Sequence, residues 1–280
     1  MPDVPASLHP LFEHDDTPRA YIEPSEQIRP LDVPAACVIT FFGDAVQRLV
    51  DGGRATVITE NRWEDGPHPL LEVEHEGERL AILQSGVGAP LAGALLDQVI
   101  ALGCRSFVAC GGAGALRNDL PLGHLVVVRS ALRDEGTSFH YVPASRYIEA
   151  HPAATAILEE TLAEHEVPYA AGRTWTTDAP YRETHAKIAA RREEGCLTVE
   201  MEASALAAVA RFRGVPLAQV LYGGDDLSGE QWDHRSWQTQ SEVRDNLLAI
   251  AGSAAVRVER WRAAQRSSGS MATATNSSER

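Results

Sequence analysis

Short apolar runs alternate with helix-length amphipathic segments along most of the chain. Residues 37–42, 55–59, 80–84, 106–110, 124–128, 170–175 and 218–222 have the length and apolar content of strands. The segment 90–102 (PLAGALLDQVIAL) sets Leu91, Leu95, Val99 and Leu102 on one helical face. It opens on Pro90 and is closed by Gly103, residues suited to the first and last turns of a helix. The segments 152–165 and 202–213 share this periodicity, and 241–263 predicts a long C-terminal helix. Strands alternating with helices define an α/β protein. No internal repeat or mid-chain linker divides it, so one domain is expected.

The two ends differ from this pattern. Residues 1–36 hold seven of the sixteen prolines and show neither period, which predicts an extended arm lying on the domain or on a neighbouring subunit. Residues 37–265 then form the domain. The last stretch, 266–280, has seven Ser/Thr in fifteen residues and too little apolar surface to offset the entropy of ordering, so a disordered tail is expected.

Composition narrows the partners. The chain has 280 residues, a net charge of −14 and a hydrophobic content of 44%. Such an acidic balance opposes binding to a nucleic-acid backbone, which needs clustered Lys and Arg, and favours a small-molecule partner. No apolar run is long enough to span a bilayer, and the N-terminus has no signal-peptide pattern, so a cytoplasmic protein is expected. Cys37, Cys104, Cys110 and Cys196 form no C-x-x-C pair and no ligand set with metal spacing is present; buried free thiols and no metal are expected.

Two glycine clusters follow predicted strands, Ser85-Gly86-Val87-Gly88 and Gly111-Gly112-Ala113-Gly114. Glycine there lets a ligand approach the backbone N–H groups. A dinucleotide fingerprint is not met, because Leu91 stands where the third glycine is needed and no acid closes the next strand. In Val199-Glu200-Met201-Glu202-Ala203 two carboxylates flank a methionine at a helix start, where acids also serve as complements to the helix dipole. Gly223-Gly224-Asp225-Asp226 follows an apolar strand. An aspartate there is placed to act as a desolvated proton donor, or to cap the next turn.

Together these motifs resemble the nucleoside phosphorylase family, in particular its uridine and bacterial purine nucleoside phosphorylase branch and the related methylthioadenosine nucleosidases. The resemblance runs from Cys37 to Ala263 and rests on V-E-M-E-A, on Asp225 at the spacing of the purine and nucleosidase branches, and on G-G-A-G-A-L with E-G-T-S-F-H-Y. It implies a central mixed, twisted sheet flanked by helices and cleavage of the N-glycosidic bond of a nucleoside with a purine-like base. It implies Asp225 as the catalytic acid, Met201, Glu202 and His140 at the ribose, and Gly43, Asp44, Arg62, Gly86 and Gly112 at a phosphate or water site. Ala113, Gly114, Phe139, Asp178, Pro180 and Tyr181 match the base pocket. No cofactor is implied; phosphate is the family's co-substrate, and water or a non-catalytic nucleoside-binding role are the alternatives. Arg62 matches an arginine that reaches into a neighbouring subunit, which implies a homo-oligomer, a dimer or trimer of dimers.

The chain also departs from the family. Gln47 and Ala109 stand where the phosphorylases carry phosphate-binding arginines, and Gly112 replaces a Ser or Thr. Gln47 also replaces the glutamate that activates water in the nucleosidases. Thr184 and Ala186 replace the residues that read uracil, and Pro180 an aromatic that stacks on the base.

Overall fold

A computed structural model describes residues 9–276 and joins ten strands in one mixed sheet. The strands are β1 (Ala36–Thr40), β2 (Ala55–Trp63), β3 (Gly66–His75), β4 (Glu78–Gln84), β5 (Ser106–Ala115), β6 (Leu125–Asp134), β7 (Tyr147–Glu149), β8 (Tyr169–Thr177), β9 (Cys196–Glu200) and β10 (Leu217–Asp226). The helices are α1 (Pro24–Gln27), α2 (Gly43–Asp51), α3 (Ala89–Leu102), α4 (Pro152–Glu164), α5 (His185–Glu193), α6 (Ala203–Arg213) and α7 (Ser241–Asn276). The spatial order is β10-β6-β8-β9-β5-β1-β4-β3-β2, with β7 beside β6. Because β5 also pairs with β10, the strands β5, β10, β6, β8 and β9 close into a ring.

Helices cover both faces, which explains why the central strands are apolar without alternation. In β1 all five residues are buried. Val38 packs with Val108 and Val220 against Leu158 of α4 and Leu247, Ala251 and Ala255 of α7. Its neighbours Cys37 and Ile39 point the other way and pack with Phe107 against Leu95, Leu96 and Val99 of α3 and Leu206 and Val209 of α6. All four cysteines are buried and free. Among the described residues no helix is long and apolar enough to cross a membrane.

Several elements differ from the pattern read in the sequence. The strand at 55–59 extends to Trp63 and turns into β3, whose alternating burial hides a half-exposed strand among its glutamates and prolines. Gly111 to Gly114 lie inside β5 and Gly223 to Asp226 inside β10, so the glycines belong to the strands rather than to loops after them. Val199 and Glu200 end the strand β9, and the helix begins at Ala203. The helices α2 and α5 are absent from the elements read in the sequence: α2 sets Ala45, Val46, Leu49 and Val50 on the core within only nine residues, and α5 buries only Ile188.

The arm is not uniformly extended. It holds a 3-10 turn at Pro10–Phe12 and the single-turn helix α1, and residues 1–8 lie outside the described residues. It lies on its own domain: the Phe12 ring meets Phe139 edge-on at 5.7 Å, and Glu23 pairs with Arg213 at 2.7 Å. At the other end α7 continues through 266–276, where disorder is expected from composition; residues 277–280 of that expected tail lie outside the described residues. The local reason is continuity, since once a helix is nucleated each added residue closes one more backbone bond.

Candidate active site

The site lies where β5 changes neighbours. Its register with β1 ends at Thr40↔Cys110, and its register with β9 begins at Val199↔Gly114. On that side Gly111, Gly112 and Ala113 have no strand beside them, and their backbone borders a cavity of about 820 Å³. Such a gap at a change of strand neighbours is a physically open edge for a ligand. The cavity brings together Gly112, Ala113, Gly114, Pro180, Tyr181, Met201, Glu202 and Asp225 from the residues implied by the sequence.

Glu200 and Glu202 separate into different tasks. Glu200 is buried and accepts hydrogen bonds from the backbone N–H groups of Glu202 and Ala203 at 2.7 and 2.6 Å and from the Thr176 hydroxyl at 2.6 Å. It therefore satisfies the first turn of α6, as a helix-start acid does. Glu202, the residue at the cap position itself, makes no side-chain cap bond. Its carboxylate turns to the α3 entrance and accepts from the Gly88 N–H at 2.6 Å. Gly88 presents that N–H at a φ of 100°, a conformation suited to glycine. Burial raises the Glu202 carboxyl pKa, and the Glu200 charge adds to the effect.

At the other end of the lining, two carboxylates meet. The β5–β10 register shifts between Gly223 and Asp226, and this irregularity turns Asp225 into the cavity. The Trp232 indole N–H donates to Asp225 Oδ2 at 2.7 Å. Gly114 leaves room for the side chains behind that carboxylate, since a Cβ there would stand 2.5 Å from Leu227 Cδ1 and 3.0 Å from Val199 Cγ1. Asp226 faces away, paired with Arg235 and accepting the Ser228 N–H at 2.7 Å, so it holds the loop after β10. Glu183, from the turn before α5, also lines the cavity. Its side chain makes no hydrogen bond or ion pair among the described residues, and burial together with the Asp225 charge pushes its carboxyl up to about 7.

The glycine edge of β5 is bordered by Phe41, Phe42 and Arg244. Arg244 comes from the first turn of α7, and its Nη1 donates to Asp44 Oδ1 at 2.7 Å. The loop between β10 and α7 closes over this end with Trp232 and Trp237, and Tyr181 stands fully exposed at the rim.

Other expected site residues lie elsewhere. His140 is exposed and Phe139 is packed between Phe12 and Arg133, so neither lines the cavity. Asp178 accepts the Gly136 N–H at 2.9 Å and ties the end of β8 to the loop after β6 instead of facing a base. Arg62 is exposed and pairs with Glu60 at 2.6 Å. Gly43, Asp44 and Gly86 stand behind the lining: Gly86 is packed under Leu91 and His68, and Asp44 reaches the cavity only through Arg244.

Sequence reasoning missed Glu183, Phe42, Trp232 and Arg244. Glu183 and Phe42 adjoin the motifs at Asp178 and Gly43, and that proximity was their one local signal. Arg244 is 200 residues from Asp44, and nothing local marks it.

Comparison with known proteins agrees with this architecture. The guanosine phosphorylase of Halorubrum lacusprofundi is 27% identical over 206 residues, covering 71% of this chain and 82% of that protein. A purine nucleoside phosphorylase of Bacillus cereus is 25% identical over 191 residues, covering 65% and 78%. Among solved structures, uridine phosphorylase from Vibrio fischeri superposes with a TM-score of 0.66 at 22% identity, covering 82% of this chain and 92% of that one. AMP nucleosidase from Bacteroides thetaiotaomicron gives 0.66 at 18% identity, covering 85% and 93%, and shares the fold. The model of the phosphorylase superfamily matches residues 35–257, from the start of β1 into α7, and the chain belongs to that superfamily.

Proposed function

We propose that the chain cleaves the N-glycosidic bond of a nucleoside with a purine-like base and transfers the ribosyl group to phosphate. The observation that carries this reading is the placing of carboxylates in one cavity: Glu202 unused by its helix, and Asp225 with Glu183 together. The C1′–N bond breaks with its electron pair leaving on the base, and the sugar gains cationic character. A buried carboxylate beside the sugar hydroxyls favours that charge. The departing nitrogen needs a proton, which Asp225 delivers with Glu183 as the neighbouring proton reservoir. An acceptor oxygen then bonds to C1′. Exposed Arg62 fits the expectation that it reaches a second copy in a homo-oligomer.

Hydrolysis is the second reading, favoured by one observation. The Gln47 amide is turned to Asp51 at 2.8 Å and Ala109 is fully buried, so neither supplies a charge to the acceptor. The test is to incubate purine and pyrimidine nucleosides with and without phosphate and to measure free base, ribose 1-phosphate and ribose. Purine release with ribose 1-phosphate is the expected result. Free ribose alone would establish hydrolysis, and no base release from any nucleoside would refute the cleavage reading.

A further inference from the structure

The two arginine positions that the sequence leaves empty put the acceptor's charge partner in question, and the fold answers with an arginine from a distant helix. Arg244 is 9% exposed and lines the same cavity as Gly111 and Gly112, and the Tyr222 hydroxyl near its Nε would stand 3.3 Å from a Cβ placed at Gly112. Its guanidinium is held against the rings of Phe42 and Trp237, 5.4 and 5.7 Å from their centroids. Nη1 donates to Asp44 and Nε to the Tyr222 hydroxyl at 3.4 Å, whereas Nη2 makes no hydrogen bond among the described residues. A guanidinium presents five N–H donors in one plane, so this one has donors left over at the wall of a largely apolar cavity, where water competes least for them.

Asp44 is built to let go. Its Oδ1 is bound by Arg244, and its Oδ2 by Arg48 at 3.0 Å. Arg48 is itself held by Asp245 at 2.7 Å. If Arg244 turned to another anion, Asp44 would keep Arg48, and no charge would be left without a partner, the circumstance that makes breaking a partly buried pair costly. Asp44 does not line the cavity, whereas Arg244 does.

We infer that Arg244 is the anchor of an oxyanion subsite at the glycine edge of β5, with Asp44 standing in for a tetrahedral oxyanion, inorganic phosphate, until that ligand displaces it. This rests on the cleavage reading only for its use as the acceptor; the binding itself is measurable without turnover. The remaining contacts to the ligand come from the unpaired backbone edge of Gly111 to Ala113.

The experiment is calorimetric titration of inorganic phosphate into the full chain at fixed ionic strength, for the wild type, Arg244→Gln, Arg244→Lys and Asp44→Asn. Loss of charge-assisted bonds in Arg244→Gln is expected to weaken phosphate about 10- to 100-fold, with Arg244→Lys in between. Asp44→Asn removes the competing carboxylate and is expected to tighten phosphate. In turnover assays Arg244→Gln should raise KM for phosphate by a similar factor and leave KM for the nucleoside within about twofold. Equal phosphate affinity in wild type and Arg244→Gln would overturn the inference. If Arg244→Gln does not fold, Asp44→Asn decides alone, and unchanged or weaker binding overturns it. A wild type that binds no phosphate yet releases base overturns the anchor and leaves the cleavage reading standing. Arg244-dependent phosphate binding without cleavage of any nucleoside does the reverse.

Discussion

Replacing Glu183 by glutamine tests the electrostatics of the cavity without presupposing a reaction. Burial and the Asp225 charge lift this carboxyl from 4.5 to about 7. The folded chain therefore holds the proton more tightly than the unfolded chain. Stability is fully present below about pH 4.5, falls as pH rises through the interval up to about 7, and levels off above it. Each unit corresponds to about 1.4 kcal/mol, which sets a ceiling of about 3 kcal/mol. Glu183 is only partly buried, and solvent screening reduces that to about 1 to 2 kcal/mol. Glutamine keeps the shape of the neutral acid and cannot ionise. The variant is expected to match the wild type at pH 4.5 and to exceed it at pH 8.5 by about 3 to 6 °C in Tm. Thermal and urea melts followed by circular dichroism at both pH values measure this. The same gap at both values, or a less stable variant at pH 8.5, would refute the argument. In an Asp225→Asn background the pH-dependent gap should shrink, because one of its two causes is gone.

The carboxylates around it have distinct expected signatures. Asp225→Asn should keep the fold, raise Tm slightly above pH 7 by removing its repulsion of Glu183, and lower turnover by about 10² to 10⁴. Asp226→Asn should instead cost stability, through Arg235 and the Ser228 turn, and leave turnover largely intact; near wild-type rates in Asp225→Asn would remove that residue from the chemistry. Glu202→Gln should reduce kcat/KM by about 10- to 100-fold on ribonucleosides and much less on 2′-deoxynucleosides, which lack a hydroxyl for it to bind. An equal loss on both sugars would make Glu202 a structural acid.

The sequence by itself determined the helices α3, α4, α6 and α7 and the strands β1, β4, β5, β6, β8 and β10, because a helix needs an apolar residue every three or four positions and a doubly covered strand needs an unbroken apolar run. The starts and stops at Pro90, Gly103 and Pro152 were equally local. The motifs at Glu202, Asp225 and Gly112 were legible as well, because each is a cluster within a few residues. Tertiary structure alone decided how these pieces divide the work. Glu200 and Glu202 are two positions apart, and only the placement of Thr176 and Gly88 makes one a helix cap and turns the other to the α3 entrance at the cavity wall. Asp225 and Asp226 are adjacent, and the irregular register with β5 sends them in opposite directions. The ring closed by β5 and β10 joins segments more than 100 residues apart, which no local pattern encodes. Arg244 faces Asp44 because α7 packs back against β1 and β5, a pairing of residues 200 positions apart that no local pattern encodes.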